Sequence, residues 1–99
     1  MDKPNIEKDR KLLTDILRKL KSSDLSNFLD DLLTEEEILD LAQRIKIAQA
    51  ILNDKTYEEI AESVGTSTAT VSKIGQVLKY GKGGLTKAFA KSKEGGGKK

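Results

Sequence analysis

Between residues 66 and 79 the chain gathers three threonines, two serines, a glutamine and two lysines, with no acid among them. This is not the chemistry of proton transfer or nucleophilic attack. Hydroxyls and amides donate and accept hydrogen bonds at base edges, and the methyl groups of Thr and Ala can touch the thymine methyl. Ammonium groups attract phosphates. Ser67, Thr68, Ala69, Ser72, Lys73 and Gln76 form a candidate base-reading set, with Gln76 able to pair with adenine. Thr66, beside the free amides of a helix start, is placed to hold a phosphate.

Such a set works only if its neighbours hold it outward. Tyr57, Ile60, Ala61 and Val64 recur at helical spacing and share one face, and Val71, Ile74 and Leu78 do the same. Gly65 falls between the two patterns, where the chain must turn sharply and a left-handed backbone is cheapest without a Cβ. Ala61 supplies the small residue needed where two steeply crossing helices come closest. Val64, Val71 and Ile74 are then the contacts that lock the angle. Residues 56–80 thus carry the layout of a helix-turn-helix, whose second helix enters the major groove with its N-terminal turns facing the bases.

Other chemistries lack their residues. The chain has no cysteine and no histidine, which removes thiol nucleophiles, cysteine-based zinc sites and the commonest general base and metal ligand. The carboxylate clusters Asp30-Asp31 and Glu35-Glu36-Glu37 fall at helix ends, with no nucleophile or phosphate loop beside them. Neither an enzyme nor a metal site is expected. No apolar run suits a membrane span or a secretion signal, so the expected location is the cytoplasm.

Ninety-nine residues, 36% hydrophobic and 34% charged, imply one small domain with a thin core. Many apolar helical stripes around a thin core suggest burial against a second copy. The net charge of +2 is unevenly spread. Residues 1–54 carry nine Lys and Arg against twelve Asp and Glu, whereas residues 64–99 carry eight Lys against one Glu. Lys73, Lys79 and Lys82 therefore read as phosphate contacts, and the final lysines as a solubilising tail.

Every periodic stretch is helical. A first amphipathic helix is expected over roughly 5–21, ended by Ser22-Ser23, and a short second one around Leu25 to Leu32. A long central helix then starts at Thr34, where Thr34-x-x-Glu37 is a capping box. Thr56-x-x-Glu59 repeats it and opens the first helix of the motif. Ser67 or Thr66 caps the second, which ends near Tyr80. A last short helix contains Leu85, Ala88 and Phe89. The expected domain covers residues 1–91, with 92–99 a disordered basic tail.

The collinear stretch LTEEEILDLAQRIKIAQAIL, then TYEEIAESVGTSTATVSKIGQVLK, resembles the Trp repressor family, especially its YerC/YecD-type branch, over roughly residues 25–90. The resemblance implies an all-α, six-helix fold in an intertwined homodimer whose paired reading helices meet successive major grooves. It implies a role for Thr70 near DNA and ligand. It also places Thr34, Arg44, Thr70 and Lys73 where that family binds tryptophan. There the chain departs from the pattern: Lys73 stands for a sandwiching arginine, Ile74 for a glycine and Val77 for a serine. An operator-contacting arginine of the first motif helix is Glu58. The alternative for Arg44 is an ordinary helix arginine paired with Asp40.

The expected function is a sequence-specific, homodimeric regulator of transcription, a repressor acting on double-stranded DNA without a tryptophan corepressor. The alternative is a protein-interaction module that retains the helix-turn-helix without specific DNA binding, favoured by Glu58, Glu59 and Glu62.

Overall fold

The computed structural model describes residues 5–96. Among them there are six helices and no strand: α1 (Ile6–Lys19), α2 (Ser22–Leu32), α3 (Glu35–Leu52), α4 (Tyr57–Val64), α5 (Thr68–Tyr80) and α6 (Gly84–Gly96). The all-α class expected from periodicity is what the chain adopts.

The chain divides into two compact units, Met1–Ile38 and Leu39–Lys99. In the first, the Asn5 side chain caps α1 by accepting from the amides of Glu7 and Lys8, both at 3.1 Å. Asp15 accepts from Lys11 at 2.8 Å and from Arg18 at 3.2 Å, the helical spacing that lets one carboxylate serve two cations. The serine pair expected to end α1 instead opens α2: the break falls at Leu20 and Lys21, both in extended backbone. Serine tolerates a helix's first turn as readily as a break. Neither α1 nor α2 contains a buried residue.

Thr34 and Glu37 form the anticipated capping box at the start of α3. The Glu37 amide donates to Thr34 Oγ1 at 3.1 Å, and the Thr34 amide donates to Glu37 Oε1 at 2.9 Å.

In the second unit α3 ends without glycine. Asp54 takes a positive φ of 65°, and the amides of Asp54 and Lys55 return to the carbonyls of Ile51 and Ala50 at 3.0 and 3.1 Å. This pair of reversed bonds satisfies the last carbonyls of the helix. Thr56 and Glu59 repeat the capping box on α4. At the other end of α4, Gly65 adopts φ 83°, the left-handed conformation assigned to it from sequence.

The core lies entirely in this unit. Ile47 and Ala48 of α3, Ile60 and Ala61 of α4, and Val71 and Ile74 of α5 are buried, and Ala50, Ile51, Tyr57, Val64, Leu78, Leu85 and Phe89 pack against them. Fully burying a side chain such as Ile47, Ile60 or Val71 contributes about 1.5–3 kcal/mol. α4 packs closely on α5, so this cluster fixes how α5 stands. The last helix is longer than expected, continuing to Gly96 through residues placed in the disordered tail; residues 97–99 of that tail lie outside the described residues.

Candidate nucleic-acid interface

The start of α5 is built locally before it is positioned globally. Ser67 sits in extended backbone as the N-cap, and its Oγ accepts from the Thr70 amide at 3.1 Å. Of the two capping residues offered by the sequence, Ser67 takes the role. Ser67 Oγ and Thr70 Oγ1 lie 3.1 Å apart and share a proton, so both hydroxyls already have partners. No acidic residue occupies the first turn of α5. Its free amides and positive dipole end are therefore not neutralised by the helix's own side chains.

Beyond the cap, α5 separates its residues by face. Val71 is fully buried, and Ile74 and Gly75 are also buried. Ser67, Thr68, Ala69, Lys73, Gln76 and Lys79 are exposed, while Thr66, Thr70 and Ser72 are half-buried. The nine residues assigned from sequence to DNA contact thus run from the turn before α5 along the helix itself, and none of them is in the core. Lys73 and Lys79 join no salt bridge among the described residues. Lys82, in the link that follows, is exposed too.

The proposed ligand set is more scattered in role. Thr34 belongs to the other compact unit, and its hydroxyl caps α3. Arg44 is exposed on α3. The pair with Asp40 anticipated for it is absent, since both salt bridges among the described residues are made by Asp15 in α1. Thr70 and Lys73 stand one turn apart on α5.

One contact escapes a reading of the sequence. A Cβ placed on Gly75 would run into the hydroxyl of Tyr57, with Tyr57 Cζ at 3.1 Å and Ile51 Cδ1 at 3.8 Å. Tyr57, the first residue of α4, therefore lies against the bare backbone of α5. The signal is present in outline, because a glycine inside a helical pattern weakens the helix and often marks close approach.

Glu58, Glu59 and Glu62 are exposed on α4, with Glu59 occupied by the capping box. Beside them, a surface hollow of about 280 Å³ is lined by Ala50, Lys55, Glu59, Ile60 and Ser63. It shares no residue with the exposed face of α5. No helix among the described residues is long and apolar enough to cross a membrane.

Comparison with known proteins agrees with this architecture. The family model for the Trp repressor protein matches residues 8–93. The uncharacterized protein YerC of Bacillus subtilis (strain 168) is 36% identical over 83 residues, covering 84% of this chain and 80% of YerC. A TrpR-like protein from Eubacterium eligens superposes with a TM-score of 0.72 at 35% identity, over 83% of this chain and 84% of that one. A candidate Trp repressor from Staphylococcus aureus gives a TM-score of 0.78 at 32% identity, over 91% of this chain and 95% of that one. By its sequence and by its six helices, the chain belongs to the Trp repressor family.

Proposed function

We propose that the protein is a homodimeric, sequence-specific DNA-binding regulator of transcription in the cytoplasm, repressing by occupying its site. α4 and α5 act as a helix-turn-helix, with α5 in the major groove. The observation that carries this reading is the division of α5 into two faces. One face, with Val71 and Ile74, is locked into the core, and the opposite face offers Thr68, Ala69, Lys73 and Gln76 to solvent.

Each residue takes a role suited to its reach. Thr68 and Ala69, at the helix start, approach bases closely with short side chains. Gln76 reaches further along the groove. Thr66 and the free amides at the start of α5 hold a phosphate, and Ser67 and Thr70 brace that turn through their shared hydrogen bond. Ser72 lies at the edge of the contact, and Lys73 and Lys79 neutralise backbone phosphates. Short hydroxyl side chains favour readout through close approach and bridging water over long bidentate arms.

Association of two copies is supported by the apolar surface outside the core. Ile6, Leu12, Leu13 and Leu32 on α1 and α2, and Leu39 and Ile45 on α3, are exposed. In each unit these side chains offer apolar surface that a second copy could cover, and a two-fold dimer presents two reading helices to a symmetric site.

Tryptophan does not fit this chain. Lys73 lacks the planar guanidinium that stacks on an indole. Ile74 is committed to the core, and the Thr34 hydroxyl is committed to the cap of α3. The regulator is accordingly read as independent of tryptophan.

A second reading, a protein-binding module with a helix-turn-helix shape, is favoured by the three exposed glutamates of α4 and by the lack of arginine on α5. Selection of bound fragments from genomic DNA at two salt concentrations separates the two. A regulator enriches a two-fold-symmetric site and binds it less tightly at higher salt. If no fragment is enriched, and a protein partner is captured instead, the DNA-binding reading fails.

A further inference from the structure

The contact between Tyr57 and Gly75 points to a device within the reading head. Gly75 lies near the middle of α5, where glycine weakens a helix relative to alanine. No positive φ requires it there: the positive-φ glycines among the described residues are Gly65 and Gly83. What requires it is space. The Tyr57 hydroxyl occupies the volume that any Cβ at position 75 would take, while Ile51 of α3 stands at ordinary contact distance, 3.8 Å, from the same spot. Tyr57 is the first residue of α4, directly after the capping residue Thr56, so its backbone is pinned by the capping box. The ring is half-buried and packs against the core.

We propose that Tyr57 is a positioning residue, an internal strut that sets the angle at which α5 leaves the core. The proposal rests on the DNA-binding reading given above and adds how the reading head is held. α3, α4 and α5 meet at this point, and the strut is wedged across the face of α5 opposite its exposed contacts. A side chain of larger volume at position 75 must push the ring away or tilt α5. Tilting moves Thr68, Ala69 and Gln76 relative to the bases while leaving charge and helix content unchanged. The device therefore governs discrimination between sequences more than attraction to phosphate, because base contacts depend on register and phosphate attraction does not. It also lets the chain hold its head in place with its own side chain.

The test uses the full-length protein and the ratio of its affinities for a selected specific site and for unrelated duplex of equal length. Gly75→Ala is expected to melt cooperatively and keep its affinity for unrelated duplex, while the ratio falls about tenfold or more. Tyr57→Phe combined with Gly75→Ala removes the hydroxyl that meets the new Cβ, and the ratio is expected to return to within about threefold of the wild type. A merely structural role for Tyr57 would lower both affinities together. An unchanged ratio in Gly75→Ala, or a loss that the double variant does not reverse, overturns the strut. Should Gly75→Ala not fold, Tyr57→Ala is read the same way: a lowered ratio with unrelated-duplex affinity intact supports the strut, and an unchanged ratio overturns it. A wild-type chain that prefers no sequence overturns the DNA-binding reading and the strut with it, whereas a discriminating wild type beside an equally discriminating variant removes only the strut.

Discussion

The backbone amide of Thr66 donates to the carbonyl of Ala61 at 2.9 Å, across the left-handed residue Gly65. This bond turns the chain from α4 into the approach to α5 within three residues. Nothing lies within 4 Å of a Cβ built on Gly65. Gly65→Ala therefore tests backbone strain alone. It is expected to destabilise the fold by about 1–2 kcal/mol without a packing defect, measured as a lower urea midpoint at unchanged m-value.

Asp54 holds a φ of 65° at the end of α3 with an exposed side chain. Asparagine adopts this conformation as readily as aspartate does, whereas a β-branched residue does not. Asp54→Asn should leave stability within about 0.5 kcal/mol, and Asp54→Val should lower it by about 1–2 kcal/mol. Equal melting of the two variants would show that the turn does not depend on this conformation.

Thr56 accepts from the Glu59 amide at 3.1 Å while its own amide donates to Glu59 Oε1 at 2.9 Å. Thr56→Ala removes the hydroxyl half of that box and should cost about 1 kcal/mol, with Thr56→Ser recovering most of it. Thermal unfolding followed by circular dichroism reports both.

Lys73 is an exposed cation on α5 outside any salt bridge among the described residues. Lys73→Ala should weaken specific and unrelated DNA binding alike and make the salt slope shallower by about one for each Lys73–phosphate pair removed. Lys11→Ala, which breaks an exposed ion pair in α1, serves as the control and should leave the slope unchanged. A Lys73 variant with wild-type affinity would remove this residue from the interface.

Leu39 and Ile45 are large apolar side chains left exposed on α3. If they meet a second copy, sedimentation of the wild type gives twice the 10.9 kDa chain mass, and Leu39→Glu shifts it towards the monomer. A wild type that sediments as a monomer at micromolar concentration would rule out the dimer.

Features set by local chemistry can be read from residues alone. Both capping boxes, the left-handed Gly65, the Ser67 cap and the inward face of α5 follow from hydroxyl, carboxylate and apolar spacing within a few positions. Features set by contacts distant in sequence cannot. A glycine inside α5 hints at close approach, but its partner cannot be named from spacing, because Tyr57 lies eighteen residues earlier on another helix. Ser22 and Ser23 suit a break and a first turn equally, so spacing alone does not place the end of α1. Asp54 carries no such signal either, because the turn it makes is more often assigned to glycine.

Every buried residue among those whose burial is described falls between Ile47 and Gly75. The leading helices α1 and α2 have no interior of their own. If two copies associate through these helices, dilution would open them to proteases before the buried cluster is touched. In that case the concentration of the chain would set its survival.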